Sequence, residues 1–140
     1  MMDATLRRAA LCASLAAGVA LLPAAARAHD AGGNVHTVLQ QAVPEAPGKL
    51  AVVATVDYAP GQASEAHRHL GSVFAVVSKG EVLSQVNGGP LHRFRAGEGW
   101  YEAPGSRHTV SRNASATEPA QLVVFGLTGE HVPLTSPIDK

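Results

Sequence analysis

The pattern of apolar and polar residues favours β-strands along most of the chain beyond residue 34. Residues 35–43 alternate weakly, 49–59 show a period of two, and 73–78 are apolar and β-branched, and further short strand-forming runs occupy residues 67–70, 81–86, 91–95, 100–102, 108–112 and 121–128. A period of two is typical of β-strands that bury one face. No segment after residue 30 keeps an apolar period of 3.6 residues over three turns, so the sequence predicts almost no helix.

Turn-forming residues separate these runs. Pro60-Gly61 ends the second run, and Asn87-Gly88-Gly89-Pro90 predicts a hairpin, because Asn and Gly tolerate the positive φ angles that tight turns require. About eight short strands with such turns between them predict an all-β sandwich or barrel. The chain then divides into an N-terminal arm with the first strand (29–48), a β-domain (49–128) and a loosely held C-terminal tail (129–140).

The first 28 residues have the three parts of a secretory signal peptide. Arg7 and Arg8 precede an uncharged run rich in Ala and Leu at residues 9–22, and Ala26-Arg27-Ala28 places small residues where signal peptidase cleaves. A transmembrane anchor is the less favoured alternative, because the apolar run is shorter than the ~20 residues that a span requires. We therefore expect cleavage after Ala28 and a periplasmic or secreted protein.

Composition narrows the class of partner. Cleavage after residue 28 would leave 112 of the 140 residues, enough for one domain with its own core, and would remove Cys12, the only cysteine. The mature chain would hold 8 basic and 10 acidic residues. This slight negative charge argues against a nucleic-acid partner or an anionic membrane, which require a basic patch. A small-molecule ligand or substrate is the expected partner.

The main chemical signal is a pair of histidines, His67 and His69, beside a run of strand-forming residues. Residues two apart in a strand point to the same face, so the two imidazoles can converge on one point. Neutral imidazole is a common ligand for divalent transition metals. A third histidine, His108, follows a turn at 103–105. The sequence therefore predicts a metal site on a sheet, with polar strand-edge or hydrogen-bonded histidines as the alternative.

The residues around these histidines resemble the two motifs of the cupins. Matching positions in the first motif are Gly61, His67, His69 and Gly80, and those in the second are Gly97, Gly105 and His108. Three departures stand out: Val73 takes the place of the motif glutamate, Ala103 that of a proline, and Asn113 comes one residue late. The two motifs occur in the right order and span about half of the mature chain.

The resemblance implies a double-stranded β-helix, or jelly-roll, barrel with one divalent metal held by His67, His69 and His108. Some cupin dioxygenases resemble this arrangement and bind Fe²⁺ through three histidines, so iron is the favoured metal, with zinc, copper, nickel or manganese as alternatives. Because Val73 replaces the motif glutamate, the site lacks that carboxylate, which is expected to weaken binding of hard cations such as Mn²⁺ relative to Zn²⁺, Cu²⁺ and Fe²⁺. The resemblance also implies a homodimer.

Several other residues are candidates near this site. Glu102 is a weak candidate for a substitute ligand or general base, and a solvated strand residue is the favoured reading. Val73 is expected to form part of the pocket wall, and Gln85 either lines the cavity as a polar contact or is exposed. Three aromatic residues are expected in the core, Phe74, Trp100 and Tyr101.

Three hypotheses for function follow. The first is a three-histidine Fe²⁺ dioxygenase that acts on a small, oxygen-rich, metal-chelating substrate. The second is a non-catalytic protein that binds a small ligand or a metal in the same barrel. The third is a structural dimer whose metal only stabilises the fold.

Overall fold

The computed structural model describes residues 34–138, which form ten β-strands and, within that range, no helix. The strands are β1 (Asn34–Ala42), β2 (Lys49–Tyr58), β3 (His67–His69), β4 (Ser72–Lys79), β5 (Glu81–Val86), β6 (His92–Arg95), β7 (Gly99–Glu102), β8 (Arg107–Asn113), β9 (Ala120–Gly129) and β10 (Thr135–Pro137). None of the described residues belongs to a helix capable of spanning a bilayer. The signal peptide predicted at residues 1–28 lies outside the described part of the chain.

The strands form two five-stranded antiparallel sheets. The first has the order β1-β2-β9-β4-β7, and the second has the order β10-β3-β8-β5-β6. Most neighbours in each sheet come from distant parts of the sequence, as in β2 beside β9 and β3 beside β8, whereas β1–β2 and β5–β6 are consecutive. This arrangement confirms the predicted all-β jelly roll.

A hydrophobic core lies between the two sheets. It contains Val56, Tyr58, Val77, Val82, Ala120 and Leu122, against which Phe94, Trp100 and Val124 pack. These residues occupy alternate positions on their strands, so the period of two read from the sequence becomes the inward face of each sheet. Full burial of a valine or leucine side chain contributes about 1.5–3 kcal/mol.

The turn between β5 and β6 has the backbone that its sequence predicts. Asn87 and Gly88 both adopt positive φ angles, 53° and 68°. The side-chain oxygen of Asn87 also accepts a hydrogen bond from the backbone N–H of Arg107, at 2.8 Å. The turn is thereby tied to the start of β8, the strand that carries His108.

The C-terminal segment was expected to be a loose tail, but residues 135–137 belong to the second sheet. Strand β10 pairs with β3, so that Pro137 lies opposite His67 and Thr135 opposite His69. The preceding residue, Leu134, packs on Gly126, where an added Cβ would lie 2.6 Å from the leucine methyl groups. Pro137 is tolerated because β10 is an edge strand, where a proline need not donate to a neighbour.

An apolar patch covers the outer face of the first sheet. It consists of Phe74, Val76, Tyr101, Val123 and Phe125, with exposed fractions of 37% to 52%. Phe74 and Tyr101 were expected in the core, and the structure places them outside instead. The reason is the alternation within β4, where Val73, Ala75 and Val77 are buried and the residues between them face outward.

Candidate metal centre

The two sheets enclose a cavity of about 320 Å³. Its walls are mainly apolar side chains from β2, β4 and β9, namely Ala54, Val56, Val73, Ala75, Leu122 and Val124. The polar residues that line it are three histidines, two glutamates (Glu65 and Glu102) and four residues with hydroxyl groups. A cavity of this size, mostly apolar with a few convergent polar groups, is typical of a site for a small molecule.

His67 and His69 enter the cavity from β3, and their Nε2 atoms lie 3.2 Å apart. The Nδ1 atom of His67 lies 2.8 Å from the backbone oxygen of Glu65. Because a carbonyl oxygen only accepts hydrogen bonds, Nδ1 carries the proton and donates it there. The lone pair on Nε2 of His67 is therefore directed toward the cavity and is available to a metal.

The third histidine, His108, comes from β8, the neighbour of β3. The register places His108 directly opposite His67, although the two residues are far apart in sequence. One ring nitrogen from each of the three histidines lies within 4.8 Å of the others. Two nitrogens bound to one ion at about 2.1 Å are separated by roughly 3.0–4.2 Å. The three histidines could therefore hold a metal ion after a small contraction.

Burial keeps the imidazoles of His69 and His108 neutral. Desolvation, together with the neighbouring His67, lowers the pKa of His69 to about 4. Desolvation lowers the pKa of His108 to about 3, with further contributions from His67 and His69. Metal ligation requires an unprotonated nitrogen, so neutral imidazoles at pH 7 suit the donor set.

Glu102 lies in this site, whereas the favoured expectation was a solvated strand residue. Its side chain is only 1% exposed. Its Oε1 atom accepts a hydrogen bond from Trp100 Nε1 at 2.8 Å and lies 3.1 Å from His108 Nδ1. Its Oε2 atom lies 3.5 Å from His69 Nε2. Burial raises the pKa of Glu102, and the hydrogen bond from Trp100 opposes that shift.

The spacing between Trp100 and Glu102 in the sequence indicates that both side chains face inward. Trp100 and Glu102 are two residues apart in β7, so they share a face by the same rule that brings His67 and His69 together. The tryptophan ring packs edge-on against His108, with the ring centroids 5.9 Å apart. An inward-facing tryptophan in a short strand thus implies an inward-facing carboxylate two residues later.

The two residues expected to line the pocket lie in different places. Val73, on β4, is 1% exposed and forms part of the cavity wall. Gln85 is not among the residues that line the cavity. Its neighbour Ser84 faces inward and contacts His108 Nε2 at 2.9 Å, so the pleat of β5 turns Gln85 to the other face. The amide of Gln85 donates to the backbone oxygen of Gly89.

A cluster of three hydroxyl groups also faces the cavity and was missed in the sequence. The hydroxyl of Tyr58 lies 2.7 Å from Ser64 Oγ and 2.8 Å from Ser111 Oγ. Burial raises the pKa of Tyr58, so the phenol is protonated at neutral pH. The cluster provides hydrogen-bonding groups within an otherwise apolar wall. In the sequence, only the position of Tyr58 on β2, two residues after the inward-facing Val56, indicates that its hydroxyl faces the cavity.

Solved structures with the same fold include enzymes. A protein with a double-stranded β-helix domain from Klebsiella pneumoniae has 22% identity and a TM-score of 0.61, over 81% of this chain and 90% of that one. A recombinant oxalate oxidase in complex with glycolate has 26% identity and a TM-score of 0.58, over 79% and 57%. The DMSP lyase DddQ from Ruegeria pomeroyi has 17% identity and a TM-score of 0.60, over 76% and 51%. The chain thus spans little more than half the length of the oxalate oxidase and of the DMSP lyase.

No curated protein shows a significant match to the sequence. A family model does match: residues 54–126 fit the model of the cupin domain, which is just over half of the 140 residues. The matched segment contains all three histidines and Glu102. The sequence match, the two-sheet jelly roll and the solved structures that share it agree, and the chain belongs to the cupin family.

Proposed function

We propose that this protein binds one divalent transition metal through His67, His69 and His108 and acts as a dioxygenase-type oxidoreductase on a small, oxygen-rich substrate. The observation that carries the proposal is the convergence of three imidazoles, two of them buried, on one point of the cavity between the sheets. Imidazole-rich sites suit Fe²⁺, Zn²⁺ and Cu²⁺. Iron is favoured among them because the proposed reaction with dioxygen requires a redox-active ion, which Zn²⁺ is not, and because some three-histidine cupin dioxygenases bind Fe²⁺. When bound, the metal supplies a Lewis-acidic, redox-active centre for the substrate and dioxygen.

The residues of the chain would bind and orient the substrate. A cavity of about 320 Å³ accepts only a compact molecule. Apolar walls that include Val73 and Ala75 limit the access of water to the reacting groups. The hydroxyl groups of Tyr58, Ser64 and Ser111 offer hydrogen bonds to a substrate oxygen. Glu65 fixes the orientation of His67 through its backbone oxygen.

The likeness to the oxalate oxidase supports the choice of substrate class. That enzyme was solved with glycolate, a small acid with three oxygens, and is 26% identical over 79% of this chain. A small hydroxy acid or dicarboxylate would fit the cavity and could chelate a metal. The lyase, at 17% identity, supports only the fold.

We also propose that the protein acts outside the cytoplasm, after loss of the signal peptide at residues 1–28. The support is the sequence pattern of those residues. Intact-mass measurement of the protein from the periplasmic and medium fractions tests it. A mature chain that begins at His29 is expected, and a full-length chain confined to the cytoplasm would contradict it.

The metal content of the purified mature protein tests the main proposal. The protein is purified without chelators or a His tag, and elemental mass spectrometry is expected to find about one iron per chain. Replacement of His67 by Ala should abolish this binding, whereas the control His92→Ala, at an exposed histidine of β6, should not. A wild-type protein without stoichiometric metal would overturn the proposal.

Dioxygen consumption tests the reaction. The iron-loaded protein is expected to consume dioxygen with at least one member of a panel of small hydroxy acids and dicarboxylates, and His67→Ala is expected to be inactive. Stoichiometric metal and ligand binding without dioxygen uptake across the panel would favour the alternative, a non-catalytic binding protein.

A further inference from the structure

We infer that Glu102 is a fourth ligand of the metal, a carboxylate supplied by β7 in place of the motif glutamate that Val73 replaces on β4. The inference rests on the metal site proposed above and makes it a set of three imidazoles and one carboxylate. It also reverses the expectation that the loss of the motif glutamate leaves the site without a negative ligand.

The register of the first sheet brings the two positions together. Strands β4 and β7 are antiparallel, and Val73 lies directly opposite Glu102. Both residues point into the interior, and each is 1% exposed. Side chains directly opposite each other on one face have Cβ atoms about 4.5–5.5 Å apart. A carboxylate on β7 can therefore reach nearly the same point in the cavity as one on β4.

The distances around Glu102 suit a shared coordination shell. Two atoms bound to one ion at about 2.1 Å lie roughly 3.0–3.4 Å apart when they subtend an angle of 90–110°. The Oε1 atom of Glu102 lies 3.1 Å from His108 Nδ1, and its Oε2 atom lies 3.5 Å from His69 Nε2. The Nε2 atoms of His67 and His69 are 3.2 Å apart. The 3.1 Å and 3.2 Å separations fall in this range, and the 3.5 Å separation is slightly longer. The cluster in which all ligand atoms lie within 4.8 Å of one another contains only the three histidines, so Glu102 would have to shift toward them to complete the shell.

One carboxylate oxygen of Glu102 has no hydrogen-bond partner. Trp100 satisfies Oε1, whereas Oε2 is buried and has no partner among residues 34–138. A buried polar atom that is left unpaired is costly, and native structures seldom contain one without a reason. A cation bound between Oε2 and the histidines would satisfy this oxygen.

A purely structural role for Glu102 makes a different prediction. As an acceptor for Trp100 and an orienting partner for His108, it would act through its hydrogen bonds and not through its charge. Glutamine at position 102 retains an acceptor oxygen for Trp100 and has almost the same volume. If Glu102 is only a positioning residue, Glu102→Gln should therefore leave the relative affinities for different metals unchanged.

The experiment is a competition titration of the metal-stripped mature protein with Mn²⁺ and Zn²⁺. A carboxylate ligand favours the harder ion Mn²⁺ more than it favours Zn²⁺. Glu102→Gln is expected to weaken Mn²⁺ binding at least tenfold and Zn²⁺ binding by a smaller factor. The double variant Val73→Glu/Glu102→Val, which returns the carboxylate to β4, should recover most of the Mn²⁺ affinity. Glu118→Gln, at an exposed glutamate, serves as the matched control.

The outcomes separate this inference from the function on which it rests. Failure of the wild-type protein to bind any metal would overturn both. A second outcome would overturn only the role of Glu102. In it, wild type binds metal, His67→Ala does not, and the ratio of Mn²⁺ affinity to Zn²⁺ affinity is the same in Glu102→Gln as in wild type. If Glu102→Gln does not fold, a crystal structure of the Mn²⁺-loaded wild-type protein decides. A Glu102 oxygen about 2.2 Å from the ion supports the inference, and one beyond about 3 Å overturns it.

Discussion

Val73 and Glu102 face each other across the ladder between β4 and β7, and both side chains point into the cavity. The first stands where the cupin motif has a carboxylate, and the second is a buried carboxylate beside two histidines. The position of the acidic group in this barrel is thus set by strand pairing and not by the linear motif. This relationship makes residues 73 and 102 the most informative pair to mutate.

Val73→Glu would place a second carboxylate beside Glu102 in a buried site. We expect it to lower the free energy of unfolding of the metal-free protein by about 2–4 kcal/mol, because one buried charge would be unpaired. Addition of a divalent metal should recover much of this loss. Urea unfolding in chelator and in Mn²⁺ measures both effects. Leu91→Glu, at a half-exposed position, is the control and should change stability little; an equal loss in both variants would contradict the prediction.

Metal binding should stabilise the folded protein. At a free metal concentration of 100 times Kd, the stabilisation is about 2.7 kcal/mol, which calorimetry detects as a rise in Tm that chelator reverses. His108→Ala should abolish this rise, because His108 is one of the three convergent ligands. His131→Ala, at an exposed histidine before β10, should retain it. A metal-dependent rise that persists in His108→Ala would place the ion elsewhere.

The hydroxyl cluster around Tyr58 should contribute to stability. Tyr58→Phe removes the partner of both Ser64 and Ser111, so we expect a loss of about 1–2 kcal/mol in the free energy of unfolding. Tyr101→Phe is a matched control, because its hydroxyl makes one exposed contact, 3.2 Å from Ser72 Oγ. We expect that variant to change by less than about 0.5 kcal/mol. Equal losses in urea unfolding would show that burial of the cluster does not matter.

The metal-free protein should lose stability as the pH falls from 7 to 5. The pKa values of His69 and His108 are lowered to about 4 and 3 in the folded protein, below the ordinary value of 6.5. Between these values the unfolded chain binds more protons, so acid favours unfolding. The pKa of Glu102 is raised by burial, so above about pH 4.5 this group makes the folded protein more stable as the pH falls. We expect the two histidines to outweigh this single opposing group.

Urea unfolding in chelator at several pH values measures this dependence. His108→Gln is expected to show a shallower fall in the free energy of unfolding between pH 7 and pH 5 than wild type. His92→Gln, on the exposed face of β6, should show the wild-type slope. Parallel curves for wild type and His108→Gln would contradict the assignment of His108 as a buried neutral imidazole.

A second copy of the chain is the partner that we propose for the exposed apolar surface. All nine residues of β1 are exposed, including Val35, Val38 and Leu39, and the patch around Phe74 and Phe125 is on the same sheet. The resemblance to cupins implied a homodimer, and this surface supports it. Light scattering is expected to give twice the chain mass for wild type and a monomer for a Val38→Lys/Leu39→Lys variant. Glu118→Lys is the control, and a monomeric wild-type protein would contradict the proposal.

The strands and the turn at Asn87 could be predicted because the interactions that specify them are local. A period of two places alternate side chains on one face of any strand, whatever its neighbours. The same rule placed His67 and His69 on one face before their partner was known. Gly88 adopts a positive φ because the turn requires it, and a glycine adopts such a value without strain.

The spacing of the second motif depends on an irregularity in pairing. Gln85 pairs with Val110 and Val86 with His108, so Thr109 is an extra residue in β8. This bulge lets His108 and Ser111 both face inward although they are three residues apart. It also accounts for Asn113, which comes one residue later than the motif expects. Asn113 is buried, and its amide donates to the backbone oxygens of Ala59 and Glu118.

The sequence by itself determined the all-β class, the inward pair His67 and His69, and the place of the hairpin at Asn87, since each depends on residues within a few positions of one another. Only the tertiary structure decided that Glu102 lies opposite Val73, that Gln85 faces away from the cavity, and that residues 135–137 add a strand beside His67. These features depend on which distant strands pair and in which register. A shift of one residue in register exchanges the inner and outer faces of a strand, so no local pattern can specify them.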